Sequence, residues 1–215
     1  YYSNSQLQKT GNFSNGENEG TWKTYYSNGQ LESEYSHKGG VIDGLVKFYD
    51  RDGKMYYEYD YNKGTLVAYR FYDKSGKTIA EEKKRGGDFY YTSYSPLGKK
   101  TSEGVYDVKG GKKGEWKYYS NNGVLTEKGN YNDNLAEGQY FIFYANGEKE
   151  SVSTYVNDTL SGYFVSYFMN KNMKSQGWYK DGQQHGEWRN YYIDGTLESI
   201  NYFHKGDYHG EQQYF

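Results

Sequence analysis

A repeat of about 24 residues runs through the whole chain and constrains its fold more than any other feature. We number positions as columns, with column zero at Gly20, Gly44, Val67, Phe89, Gly114, Gly138, Gly162, Gly186 and Gly210. Column five is aromatic in every unit, as at Tyr119 and Tyr191. Column nine is mostly glycine, column eleven mostly apolar and column seventeen mostly aromatic. Such a period marks a tandem array in which neighbouring units stack and bury a shared core.

The composition suits a folded array whose apolar surface is aromatic. Aromatic residues make up 20% of the 215 residues and include 30 tyrosines, which is unlike a disordered chain. No apolar run is long enough to span a membrane as a helix. The absence of cysteine excludes disulfides, zinc–thiolate sites and cysteine nucleophiles. A net charge of −2 argues against a nucleic-acid partner.

Each unit contains two short runs rich in Tyr, Phe, Trp, Thr and Val, separated by turns that contain glycine. This pattern predicts an all-β fold, namely an elongated single-layer antiparallel sheet of about nine tandem β-hairpin repeats of ~24 residues. We expect one repeat array over residues 1–215, with irregular units at about 67–113 and incomplete units at both ends. The segment Glu81–Asp88 carries charges where rings are expected. It is either a local irregularity or a place where the sheet changes course.

The sequence is compatible with two strand-pairing registers in the hairpins. Segments such as Asp50–Gly53 have Asp or Ser first and Gly fourth, which predicts a type I turn followed by a left-handed glycine in a three-residue loop. Column five then pairs with column eleven, and columns five, eleven, fifteen and seventeen share one face. Alternatively, Asn28-Gly29 forms a two-residue turn that pairs Trp22 with Tyr35. The three-residue loop is the favoured prediction, because column five has no exceptions.

In the favoured register, column two lies on the face opposite to columns five and seventeen. Tyr119 and Tyr191 are then core residues, whereas Trp116 and Trp188 lie on the other face. Column two supplies the candidate partner-binding residues, which are Trp22, Tyr69, Tyr91, Trp116, Tyr140, Phe164 and Trp188. These rings either support the sheet by cross-strand packing or form an exposed binding surface.

The chain shows no pattern of catalytic, metal or cofactor residues. The histidines, which are His37, His185, His204 and His209, are expected in turns or on the surface. Gly76-Lys77-Thr78 imitates the end of a phosphate-binding loop, but Phe71 stands where that motif requires glycine. We therefore predict a hairpin turn there, and no catalytic, cofactor-binding or metal site.

The repeat unit resembles MORN repeats. Gly129–Gly138 and Gly177–Gly186 carry the glycine and aromatic spacing of that family, and Tyr25–Leu31 looks like its bacterial, antitoxin-like variant. The resemblance implies a sheet of hairpins, a scaffold or protein-binding role and no enzymatic activity. A weaker similarity, seen in Trp116–Gly129, is to choline- and glucan-binding repeats, whose period is shorter.

From these observations we expect a non-enzymatic repeat scaffold that binds a partner protein, such as a toxin that it neutralises. The alternative is an extracellular module that binds a glycan or cell-wall polymer through the aromatic ladder. The chain begins inside a repeat and without methionine. We therefore favour a mature or trimmed form in the periplasm, on the cell surface or secreted, rather than in the cytoplasm.

Overall fold

The computed structural model describes residues 1–84 and 86–215, and its regular structure consists of β-strands. The first sheet contains β1 (Lys9–Ser14), β2 (Glu17–Tyr25), β3 (Leu31–Lys38), β4 (Val41–Ile42), β5 (Gly44–Tyr49), β6 (Met55–Asn62), β7 (Thr65–Tyr72) and β8 (Thr78–Lys83). The second sheet contains β9 (Phe89–Tyr94), β10 (Lys100–Tyr106), β11 (Lys112–Tyr119), β12 (Leu125–Asn132), β13 (Leu135–Phe143), β14 (Lys149–Val156), β15 (Thr159–Leu160), β16 (Gly162–Tyr167), β17 (Met173–Lys180), β18 (Gln183–Tyr191), β19 (Leu197–His204), β20 (Asp207–Tyr208) and β21 (Gln213–Tyr214). Within the described part of the chain, no helix is long and apolar enough to cross a membrane.

Neighbouring strands pair in antiparallel fashion, and consecutive strands form hairpins. In the first sheet the order is β1-β2-β3-β5-β6-β7-β8, with β4 beside β3. In the second sheet the order is β20-β19-β18-β17-β16-β14-β13-β12-β11-β10-β9, with β15 beside β14 and β21 beside β19. The predicted all-β fold of tandem antiparallel hairpins is confirmed.

The chain divides into two compact units. Unit 1 comprises Tyr1–Thr101 and Val108–Gly110, and unit 2 comprises Ser102–Asp107 and Gly111–Phe215. The division falls inside the stretch 67–113 that was predicted to be irregular. The first sheet ends at β8, within the charged segment Glu81–Asp88, and the second sheet begins at β9. Arg85, within that segment, lies outside the described residues.

One kind of turn follows the prediction of a three-residue loop. In the loop after β5, the amide of Gly53 donates to the carbonyl of Asp50, and the amide of Asp50 donates to the carbonyl of Lys54. Gly53 has a φ of 76°, which glycine adopts without the strain that a Cβ would cause. The loop at Asn28-Gly29 has the same bonds and a φ of 84° at Gly29. The two-residue turn proposed there as an alternative is therefore wrong.

A β-bulge follows each of these loops and changes the pairing. Tyr25 lies opposite Leu31, as the three-residue loop requires, but the register shifts between Thr24 and Tyr25. Beyond the shift Trp22 lies opposite Tyr35, which is the pairing of the alternative register. Each predicted register thus describes one part of the hairpin. One extra residue in a strand reverses which face the following side chains occupy.

Most of the other turns in the described residues are two-residue turns that join one of these hairpins to the next strand. The loop between β10 and β11 is an exception, because there the amide of Asp107 donates to the carbonyl of Gly111. In Asp133-Asn134 the φ values are 48° and 71°, and the flanking residues Asn132 and Leu135 pair directly. Positive φ at both central residues is what a type I′ turn requires. The chain therefore alternates between loops of two kinds along the sheet.

A tyrosine in column six ties several hairpins to the next. Each such hydroxyl donates to the main-chain carbonyl of the column-five residue one repeat further on. The pairs are Tyr2 with Tyr25, Tyr26 with Tyr49, Tyr144 with Tyr167 and Tyr192 with Phe215, at 2.7, 2.7, 2.7 and 3.2 Å. In the other units column six is Asp, Ser or, in one case, Phe168. The Asp side chain serves its own turn, as where Asp50 accepts from the amide of Lys54 at 2.9 Å.

The core consists of column-two rings that lie across column-fifteen glycines of the preceding strand. Trp116 is only 1% exposed, and a Cβ built on Gly104 would lie 2.3 Å from its ring. Trp188 covers Gly177 in the same way, also at 2.3 Å. Tyr106, in column seventeen, packs edge-on against Trp116 with ring centroids 4.8 Å apart. The glycine removes the side chain that would hold the ring away from the sheet, so one layer of strands can bury an indole.

Near the end of the first sheet, β9 adds a second layer that the sequence did not predict. Phe89 and Tyr91 of β9 pack on Tyr69 of β7, with ring centroids 5.6 and 5.1 Å apart. The hydroxyls of Tyr59 and Tyr91 lie 2.5 Å apart. Phe71, beside them, is 1% exposed. This packing lies within unit 1 and covers the rings of Tyr59 and Tyr69.

Candidate functional site

The candidate partner-binding residues of column two are core residues. Trp22, Tyr69, Tyr91, Trp116 and Trp188 are buried, and Tyr140 and Phe164 are half-buried. The prediction that this column faces away from the core is wrong. Its cause is the bulge after the three-residue loop, in which the extra residue stands in column twelve, as at Glu32. This bulge places columns fifteen and seventeen on the same face as column two. We name this face the ladder face.

Column five lies on the opposite face, which we name the open face. Its tyrosines hydrogen-bond with column fourteen of the preceding unit rather than fill the core. Tyr119 donates to Glu103 at 2.5 Å, and Gln176 donates to Tyr191 at 2.6 Å. Both tyrosines are half-buried, so the prediction that they form the core is also wrong.

Within each unit, columns three and fourteen form a continuous row on the open face, because each member lies opposite the next across adjacent strands. In unit 1 the open-face row is Lys23, Glu34, Lys47, Glu58, Arg70 and Glu81. In unit 2 it is Glu103, Lys117, Lys128, Phe141, Val152, Val165, Gln176, Arg189 and Ile200. The chemistry of the two rows differs.

The row of unit 1 alternates in charge and pairs within itself. Arg70 bonds Glu58 at 2.7 Å and Glu81 at 2.8 Å. The hydroxyl of Tyr72 lies 3.4 Å from the same guanidinium. Its hydrogen bond, and that of Glu81, raise the pKa of Arg70 above its ordinary value. Cross-strand pairs of opposite charge stabilise a sheet locally. These charges therefore satisfy one another.

The row of unit 2 is apolar in its middle and lies beside two exposed rings. Phe141 and Val152 are half-buried and Val165 is buried, and the three follow one another across three strands. Next to Val165, Tyr163 of β16 lies directly opposite Trp178 of β17. Their ring centroids are 5.7 Å apart and their planes are inclined at 63°. Trp178 is 56% exposed and Tyr163 is 40% exposed. These two rings and their neighbours are the candidate functional site.

The polar groups around these rings are bonded to one another. Gln176 accepts from the hydroxyl of Tyr163 at 2.5 Å and donates to Tyr191. Glu187 accepts from Tyr202 at 2.9 Å and from Nε of Arg189 at 2.7 Å. These two hydrogen bonds hold the pKa of the Glu187 carboxyl below its ordinary value, because they favour the ionised form.

Sequence periodicity did not single out Trp178 or Tyr163. They occupy columns sixteen and one, which are polar or small in most other units, as at Asp60 and Ala68. A consensus of the repeat keeps only the residue types that most units share. It therefore does not reveal an extra aromatic residue that occurs in a single unit. The available signal was a large aromatic side chain at a column where the repeat does not need one.

The remaining sequence candidates do not form a reactive site. The rings of His185 and His204 lie 5.4 Å apart, and those of His204 and His209 lie 5.6 Å apart. In residues 1–84 and 86–215, no group of three or more His, Asp or Glu side chains could hold a metal ion. Gly76 donates its amide to Asp73, so Gly76-Lys77-Thr78 is part of a hairpin turn as predicted.

Four segments of the chain match the family model of the MORN repeat variant, at residues 18–38, 42–63, 112–133 and 136–157. The chain carries MORN repeats. In each matched segment the MORN hairpin is the one with the three-residue loop, such as β11 and β12 around Asn121–Gly123. The match covers two hairpins of each unit, and therefore both kinds of open-face row.

A search of curated proteins finds no match. Two of the solved structures that are similar in part are described here. The first is the GtfA/B complex bound to UDP and GlcNAc, with 11% identity, 79% of this chain and 23% of that chain covered, and a TM-score of 0.25. The second is the Tc holotoxin pore of Photorhabdus luminescens, with 11% identity, coverages of 90% and 15%, and a TM-score of 0.20. The chain spans less than a quarter of either matched chain. Neither similarity bears on function.

Proposed function

We propose that the chain is a non-enzymatic repeat scaffold that binds a partner protein through the open face of unit 2. The observation that carries this proposal is the exposed pair Tyr163 and Trp178 beside the apolar residues of the open-face row. Exposed aromatic area next to an apolar patch is typical of a protein-binding surface. The core does not require these rings, because the ladder face already buries its own.

The contrast between the units supports the same surface. In unit 1 the charges of the row pair with one another, as Arg70 does with Glu58 and Glu81. In unit 2 the row offers Phe141 and Val152, both half-buried, with no charged group between them. An interface gains most from apolar and aromatic anchors at its centre. The open face of unit 2 therefore offers the stronger docking surface.

We further propose that the chain is antitoxin-like and that its partner is a toxin. The support is the resemblance of Tyr25–Leu31 to the bacterial variant of the MORN repeat. This proposal predicts that co-expression of the chain protects cells from the partner. It also predicts that the protection depends on Trp178, because binding and neutralisation then share one surface.

The experiment is capture of a partner on immobilised wild-type chain, followed by reconstitution with the purified partner. The comparison uses Trp178→Ala and, as matched control, Tyr208→Ala, which removes a ring that is 65% exposed elsewhere in unit 2. We expect Trp178→Ala to weaken the reconstituted complex by about tenfold, the scale of an interface anchor, and Tyr208→Ala to leave it unchanged. Equal affinity of both variants for the partner contradicts the proposed surface.

A glycan-binding module was the alternative, and it depended on an exposed ladder. The ladder rings are buried, so a glycan would need an exposed ring such as Trp178. The hydrogen-bonding groups beside it, on Gln176 and Glu187, already bond to protein side chains. A sugar would have to displace those bonds, and the protein partner is therefore preferred.

A further inference from the structure

Two lysine side chains converge on one ring of the open face in unit 2. Nζ of Lys128 lies 4.8 Å from the centroid of the Phe141 ring, and Nζ of Lys149 lies 5.8 Å from it. Lys128 is directly opposite Phe141 in the open-face row, and Lys149 is opposite Phe143, two residues further along β13. The strands on both sides of β13 thus each supply one cation to the same ring, whose electron-rich face attracts them.

The carboxylates near these two lysines do not balance them. Glu115 lies 3.9 Å from Nζ of Lys128, but it also bonds Lys117 at 3.0 Å. Lys149 has no ion pair within the described part of the chain. The two cations at Phe141 therefore have one shared carboxylate within ion-pairing distance in the described residues, and this region offers an unmatched positive charge to a ligand.

A depression of about 380 Å³ lies beside Lys149 and the loop before it. Phe143 and Tyr167, the column-five aromatic residues of successive units, both line it. The other charges of the depression belong to Glu148 and Lys171, which bond each other at 3.0 Å. The depression thus combines two aromatic side chains with the ammonium group of Lys149.

We propose that this region binds an acidic segment of the partner protein, in which Asp or Glu side chains stand next to apolar ones. The carboxylates contact Lys128 and Lys149, and an apolar side chain enters the depression lined by Phe143 and Tyr167. This inference rests on the proposed function and specifies the chemistry of the partner. Contact of an apolar side chain with the rings supplies affinity, and the complementary charges direct the segment to the site.

Charge complementarity selects this occupant over others that an apolar surface could take. A basic or neutral segment would cover Lys149 without giving it a counter-charge, which is unfavourable. A second copy docked through the same region would bring lysines against lysines, because such an interface uses one patch twice. A nucleic-acid strand would supply anions, but the chain has a net charge of −2, and the rings between the two lysines suit apolar side chains better than a continuous row of phosphates.

The test is an array of twelve-residue peptides that combine two acidic residues with varied apolar positions. Each peptide is paired with a control in which Asp and Glu are replaced by Asn and Gln. We expect a subset to bind the 215-residue chain in 50 mM salt. Fluorescein-labelled copies of these peptides should lose affinity as amide controls, and also in 500 mM salt, because screening weakens exposed charge pairs.

The matching variants of the chain remove the cations one at a time. Lys149→Gln should weaken the bound peptides by about threefold, on the scale of an exposed ion pair, and Lys149→Arg should retain their affinity. The double variant Lys128→Gln/Lys149→Gln should weaken them by about tenfold. Lys205→Gln is the control, because it removes an exposed cation elsewhere in unit 2 and should leave the affinity unchanged. Thermal unfolding of each variant shows whether the fold is intact.

Absence of binding by every peptide would overturn the inference, as would equal binding by the amide controls or equal affinity of the double variant. A twelve-residue oligothymidylate is the nucleic-acid probe, and its binding through the two lysines without peptide binding also overturns the inference. If a captured protein partner depends on Trp178 but not on Lys128 and Lys149, the proposed function stands and the acidic segment is wrong. If it depends on none of the three, both are wrong.

Discussion

The open-face row of unit 1 runs Lys–Glu–Lys–Glu–Arg–Glu, whereas the row of unit 2 passes from Lys through Phe and two Val to Gln and Arg. Both rows occupy the same columns of the same repeat. The ladder faces do not differ in this way, because Trp22 in unit 1 and Trp188 in unit 2 are both buried. The hairpin repeat therefore needs one face for stability and leaves the other free to vary. We therefore expect the functional site on the open face, where the residue types of the row differ between the two units.

The first prediction has the largest expected effect. It tests whether side chains of the ladder face stabilise the fold more than those of the open face. We expect Trp188→Ala to lower the free energy of unfolding by about 3–5 kcal/mol, because it empties a buried indole site. Trp178→Ala, on the open face, should change it by about 0.5 kcal/mol, as for an exposed side chain. Urea unfolding measures both. Equal losses in the two variants would show that the open face is structural too.

The second prediction isolates the glycine under the ring. A Cβ at Gly104 would lie 2.3 Å from the Trp116 ring, so we expect Gly104→Ala to cost about 1–3 kcal/mol through overpacking. Most of that cost should vanish when Trp116 is already alanine. A double-mutant cycle in urea measures this coupling. Additive losses would mean that the glycine serves the backbone rather than the ring.

The third prediction concerns the charged row of unit 1. Lys47 lies opposite Glu34 on one side and Glu58 on the other. Lys47→Glu places three acidic residues in succession and should cost about 1 kcal/mol in 10 mM salt, since like charges opposite one another repel. The loss should shrink in 1 M salt, because screening weakens exposed charges. Lys47→Gln is the control, and a loss that does not depend on salt would contradict the electrostatic account.

The smallest expected effect concerns acid and the carboxyl of Glu187, which lies beside the exposed rings of unit 2. The Tyr202 and Arg189 hydrogen bonds lower the pKa of Glu187 from its ordinary value of 4.5. A carboxyl whose pKa is lower in the folded state adds stability above its unfolded pKa and loses it as pH falls through the folded value. Tyr202→Phe should therefore be less stable than wild type at pH 7, with the difference disappearing in acid below 4.5. A difference that does not depend on pH would assign the loss to packing.

The sequence predicts the repeat, the strands and the loops, because each depends on local chemistry. The Asp50–Gly53 pattern determines its turn without help from distant residues, and its hydrogen bonds are as expected. Two features depend on more than local chemistry. At the bulge opposite Thr24 and Tyr25, Glu32 of β3 is the extra residue, and it reverses the face of the β3 side chains that follow. Face assignment by simple alternation consequently placed the column-two rings outside.

The candidate site was less predictable than the fold, for a related reason. Periodicity identified Trp116 and Trp188 because every unit needs a ring in their column. Trp178 stands in a column without that need, and its significance appears only when the opposite strand brings Tyr163 beside it. The packing of β9 on β7 also needed coordinates, since Tyr69 and Phe89 meet without being paired in a sheet.

The column-six tyrosine bonds have a consequence for how such chains lengthen. Tyr144 donates to the carbonyl of Tyr167, and a copy of the intervening 24 residues would carry both the donor and its acceptor. Duplication of one unit would thus create the hydrogen bond between successive units together with the new hairpin. Deletion of one unit would bring an existing donor to an existing acceptor. The array can therefore gain or lose a unit during evolution without a compensating substitution where the units meet.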